Sequence, residues 1–107
     1  MPALIVHCTC PDAGVASHIA IALVEARLAA CVQQLPGVRS TYAWEGRVEH
    51  AQEVLLLIKT AGDRLDEVID AVRALHPYEL PELIAVEARG GLPAYLEWVH
   101  AQSRADA

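Results

Sequence analysis

The sequence predicts an α+β fold of the ferredoxin-like kind: a βαββαβ order with a long central hairpin and a C-terminal helix. Three observations lead there. Short apolar runs with β-branched members alternate with helically spaced apolar stretches, in the order strand, helix, strand, strand, helix, strand. The two middle strands are separated only by Glu45-Gly46, the length of a tight hairpin turn. The 107 residues suit a single domain over 1–107. No internal repeat, linker or low-complexity segment interrupts them before the polar tail SRADA.

ALIVHCT, residues 3–9, reads as the first strand. Pro11-Asp12 follows, a helix start with Asp12 as N-cap. From Val15 to Ala30 the spacing is helical. Val15, Ile19 and Leu23 form one stripe, with Ala16, Ala20 and Ala30 beside or along it, small enough to seat the helix close to a sheet. A second strand begins over Cys31 to Gln34. Leu35-Pro36-Gly37 interrupts it and reads as a bulge or bend. The strand resumes through VRSTYAW, which puts Val38, Ser40, Tyr42 and Trp44 on one face. Its partner runs from Arg47 to Thr60, and both strands exceed the usual ~5–6 residues. Gly46 is the residue expected to permit the turn, by a positive φ.

Asp63 reads as the cap of the second helix, with Asp66 three residues on as a capping-box partner. Leu65, Val68, Ile69, Val72 and Leu75 keep helical spacing until Pro77 stops it. ELIAVEA, residues 82–88, reads as the last strand, and Gly90-Gly91 breaks it. Pro93 opens a short helix with Tyr95, Trp98 and Val99 on one side.

Val54-Leu55-Leu56-Leu57-Ile58 is apolar on both strand faces. A sheet with helices on one side should alternate. The other face therefore needs a cover, and the simplest is another copy of the same sheet. The hydrophobic share of 54% points the same way, because a chain this small has little interior. Phe is absent and aromatics make up only 5%, so the core must be aliphatic.

The net charge is −6, and Lys59 is the sole lysine. Nucleic-acid backbones are held by clustered Lys and Arg, so no nucleic-acid partner is expected. No apolar run reaches membrane-spanning length, and MPALIVHC lacks the basic start of a signal peptide. No membrane association and a cytoplasmic location are the expectations. Three cysteines, an odd count, argue against a secreted disulfide framework. There is no nucleophile elbow, no Walker A loop and no G-x-G-x-x-G, so nothing marks an enzyme.

Five stretches then resemble one family: RLAACV at 27–32, LPGVRSTYAWEGRVE at 35–49, EVLLLIKT at 53–60, HPYELPELIAV at 76–86 and YLEWV at 95–99. Together they resemble the CutA family of divalent-cation tolerance proteins. The resemblance implies a cytoplasmic homotrimer of ferredoxin-like subunits built much like the PII signalling trimers. It implies tolerance of copper and other divalent cations, by metal binding or by signalling, with no agreed catalytic reaction. Cys10, in the T-x-P-D stretch, and His50, in the hairpin, depart from the family pattern and inherit no role from it.

The densest chemistry lies in ALHPYELPEL, residues 74–83. Pro77 and Pro81 make a rigid helix-to-strand corner. In the plain reading His76 and Tyr78 bond loop carbonyls there, while Glu79 and Glu82 are solvated. In the functional reading His76, Tyr78 and Glu79 line a cleft between subunits, facing Glu53 and Lys59 of the hairpin. A small anionic ligand held there by Lys59 would make the chain a PII-like sensor.

The candidate metal ligands are Cys8, Cys10 and His76. Cys8 and Cys10 point two sulfurs to one face of a strand while His7 points away. Thiolates and imidazole suit soft or borderline cations such as copper. The spacing is not the C-x-x-C of structural zinc, so no tightly bound cofactor is expected; any copper or other divalent cation should sit superficially. The competing reading makes all three cysteines small hydrophobes, Cys31 above all, and puts His18 and His100 in solvent. Tyr42, Trp44, Leu55, Leu57 and Trp98 are the expected interface residues of the homotrimer.

Overall fold

The structure is a computed structural model that describes residues 2–104. Its elements are β1 (Ala3–Cys10), α1 (Ala13–Glu25), β2 (Cys31–Trp44), β3 (Arg47–Ala61), α2 (Leu65–Leu75), β4 (Ile84–Glu87) and α3 (Pro93–Gln102). The four strands form one sheet in the order β2-β3-β1-β4, each pair antiparallel. This is the ferredoxin-like arrangement, with α1 and α2 packed on one face.

Alternation along the strands decides which side faces the helices. Val6, Cys8 and Cys10 of β1 and Val54, Leu56 and Ile58 of β3 point to that side and are buried. Ala16, Ile19 and Leu23 of α1, with Val68 and Val72 of α2, close the core over them. On the opposite face Ile5, His7, Leu55, Leu57, Ile84 and Val86 fall in register across β3, β1 and β4. α1 and α2 lie on the other side, α3 meets this face at its Ala3 and Lys59 end, and Ile84 is 60% exposed. A smaller core forms at one end, where Val99 of α3 packs with Ala3 and Ala30.

The hairpin has the expected turn and bulge. Glu45 and Gly46 have φ of 49° and 77°, the two left-handed residues of a type I′ turn. Between Leu35↔Leu55 and Val38↔Glu53, β2 advances three residues where β3 advances two. Gly37, at φ 76°, absorbs the extra residue.

Three expectations fail locally. The first helix ends at Glu25, not Ala30. Arg27 takes φ 58°, and the amides of Leu28 and Ala29 fold back to the Leu23 carbonyl at 3.0 and 3.3 Å. The apolar spacing continued past the helix because this turn, too, feeds the core, where Ala29 is buried. Asp63 caps nothing. It lies in a 3-10 turn, Gly62–Arg64, and its carboxylate accepts from Arg104 at 2.6 and 2.7 Å. The last strand is Ile84–Glu87 only, since pairing with β1 stops at His7↔Ile84 and the chain leaves toward the corner.

Candidate functional site

Cys8 and Cys10 lie on β1, the strand flanked by β3 on one side and β4 on the other. They share the core-facing side, opposite Leu56 and Val54, and both are fully buried free thiols. Their protons are not independent. The Cys8 thiol is pushed up, first because it donates toward the Cys10 sulfur and then by burial. Accepting that hydrogen bond holds Cys10 below the usual thiol range.

His76 reaches the same place from α2. Its amide donates to the Val72 carbonyl at 2.8 Å as the last link of the helix. Pro77 blocks a further turn and holds His76 extended, at φ −82°, ψ 135°. The ring is thereby turned into the protein, 8% exposed. Nε2 donates to the Thr9 carbonyl at 2.8 Å, and Nδ1 accepts from the Tyr78 amide at 3.1 Å. A carbonyl can only accept and an amide N–H only donate, which fixes the Nε2–H tautomer.

One ligand atom from each of Cys8, Cys10 and His76 lies within 4.8 Å of the others. A zinc ion takes sulfur at ~2.3 Å and imidazole nitrogen at ~2.0–2.1 Å, so three donors closing on one ion come within roughly 4 Å of one another. A modest inward shift suffices. The donor set fits a soft or borderline cation. The three residues expected to bind metal are therefore brought together, but in the interior. The expected superficial position is wrong for them, because alternation along β1 turns both sulfurs toward the helices.

Beside this group an open groove of ≈ 810 Å³ runs between the hairpin and the His76 corner. Thr9, Tyr42, Trp44, Glu53, Tyr78 and Glu79 line it. The Tyr78 hydroxyl donates to Glu53 Oε2 at 2.9 Å, and its ring tilts against that of His76 at 4.7 Å. Burial and then the hydrogen bond to Glu53 push the Tyr78 hydroxyl up to about 12. The cleft residues Glu53, Tyr78 and Glu79 thus meet in one chain, with His76 beneath them. Within the one chain Lys59 does not join them. Six residues along β3 from Glu53, a span of roughly 20 Å, its ammonium lies 3.5 Å from the Tyr95 hydroxyl and 5.5 Å from that ring's centre. Glu82 also lines the groove, whose lining among the described residues holds no Lys or Arg.

Tyr42, Trp44 and Trp98 are each close to half exposed, and Leu55 and Leu57 sit half-buried on the uncovered sheet face. His18 is exposed, and Cys31 and His100 are half-buried. Sequence reasoning missed Thr9. Its contribution is a backbone carbonyl, so its side chain gave no signal.

Fold and site together define a ferredoxin-like domain with a thiol–imidazole group against its central strand. The chain belongs to the CutA1 divalent ion tolerance protein family, whose model matches residues 4–102. Protein CutA of Mus musculus is 48% identical over 92 residues, which are 86% of this chain and 52% of the mouse protein. The chain thus spans about half the length of that relative. The divalent-cation tolerance protein CutA of Pectobacterium atrosepticum is 42% identical over 102 residues, 95% of this chain and 93% of that protein. The crystal structure of CutA from Xylella fastidiosa superposes with a TM-score of 0.94 at 47% identity, covering 97% of this chain and 100% of that one.

Proposed function

We propose that this chain serves divalent-cation tolerance by taking up the cation itself, at Cys8, Cys10 and His76. The observation that carries the reading is the meeting of two sulfurs and an imidazole nitrogen within 4.8 Å in the core. The pattern suits copper, zinc or cadmium better than magnesium or calcium, which prefer oxygen. The cation is cargo and not a resident cofactor, and the chain is not an enzyme. We further propose a cytoplasmic homotrimer in which the patch of Ile5, Leu55, Leu57, Ile84 and Val86 is covered by other copies. Its support is the in-register apolar surface on the side of the sheet opposite α1 and α2.

A second reading is a PII-like sensor that binds a small ligand in the groove. The groove's size and aromatic walls favour it. Its carboxylates do not favour an anion, which would need Lys59 from another copy.

Zinc and cadmium titrations followed by calorimetry and by the ultraviolet sulfur–cadmium band test the first reading. The parent should bind, Cys8→Ser/Cys10→Ser should lose the band, and His76→Ala should bind at least tenfold more weakly. Equal affinity in all three proteins would remove these residues from the site.

A further inference from the structure

We propose that the metal group and the groove are linked: His76 cannot ligate an ion without releasing a residue of the groove wall, so ion occupancy resets what the groove accepts. This rests on the reading above that Cys8, Cys10 and His76 take a metal.

Both ring nitrogens of His76 are already engaged, and both partners line the groove. If Nε2 becomes the ligand, the Thr9 carbonyl loses its donor; if Nδ1 does, the Tyr78 amide loses its acceptor. Thr9 and Tyr78 are both groove-lining residues. The linkage therefore does not depend on which nitrogen binds.

The direction of movement follows from the fold. Cys8 and Cys10 are held on β1 by pairing with Leu56 and Val54 of β3, with Thr9 between them in sequence, although pairing with β4 has already ended at His7. His76 sits on a corner of which residues 77–83 belong to no helix or strand. Closing three donors now up to 4.8 Å apart onto one ion must draw on the corner and not on the sheet. The corner is latched by the Tyr78 hydroxyl on Glu53 of β3. That latch opposes the shift, and whatever breaks it should help the ion bind. By linkage, a ligand that changes the Tyr78 wall changes metal affinity by the same factor as the metal changes the ligand's.

The test uses the full chain with zinc alone. Zinc affinity is measured calorimetrically for the parent, Tyr78→Phe and Tyr95→Phe, and amide exchange is followed over residues 76–82 with and without zinc. Tyr78→Phe removes only the latch hydroxyl and should bind zinc about tenfold more tightly, the factor for losing one hydrogen bond to a charged group. Tyr95→Phe removes a hydroxyl beside Lys59, outside the groove lining, and should leave affinity unchanged. Zinc should speed exchange across 76–82. Unchanged affinity in Tyr78→Phe with unchanged exchange would overturn the linkage while leaving the metal site intact. Equal tightening in both variants would overturn it too, since general loosening would then be the cause. A parent that binds no zinc would overturn the site and the linkage together.

Discussion

The Tyr78 hydroxyl and the Glu53 carboxylate meet at 2.9 Å across 25 positions of sequence and tie the helix-to-strand corner to the central hairpin. That bond requires a protonated phenol. The folded-state value of Tyr78, about 12, lies above its ordinary value of 10.0. A raised value means that the contribution to stability is fully present below pH 10 and is lost as pH rises through 12. The denaturation midpoint of the parent should therefore fall between those two pH values. In Tyr78→Phe the fall over that window should be smaller, and equal slopes would deny the bond a role in stability.

Gly46 carries φ 77° at the hairpin tip, and a Cβ there would meet no atom within 4 Å. The cost of Gly46→Val is then purely backbone strain, about 1–3 kcal/mol for a non-glycine residue held in a left-handed conformation. A lower thermal midpoint is expected. A variant that melts like the parent would show that the turn relaxes to another form.

Leu57 lies opposite His7 at the middle of the uncovered sheet face. Apolar area hidden there between copies contributes ~25 cal/mol per Å². Leu57→Glu should break the proposed homotrimer. Sedimentation equilibrium should show three chains for the parent and a shift to monomer for the variant. A well-folded parent monomer at micromolar concentration would contradict the assembly.

The order of elements was legible because each has its own period and its own punctuation. Asp12 caps α1 by accepting from the Val15 amide at 2.8 Å, as the Pro-Asp pair suggests. Pro77 and Pro93 mark a helix end and a helix start where the structure has them. What was not legible depends on residues distant in sequence. Asp63 resembles a cap because its partner, Arg104, is 41 residues away. Arg27 gives no warning of its positive φ, since a polar residue at the end of an apolar stripe looks helical until Arg104 and Ala101 carbonyls accept from its guanidinium. The candidate ligands could be chosen by type and strand parity. Their burial could not, because parity says that two side chains share a face but not which face the helices take. Chemistry alone suggests Lys59 for a cleft between subunits, and within one chain its register with Cys31 places it at the other end of β3.

X-ray absorption at the zinc edge of the loaded parent tests the central claim most directly. Ligation by Cys8, Cys10 and His76 predicts two sulfur scatterers at ~2.3 Å and an imidazole nitrogen at ~2.0–2.1 Å, with sulfur lost in Cys8→Ser/Cys10→Ser. A first shell of oxygen and nitrogen alone in the parent would place the ion elsewhere and contradict the account.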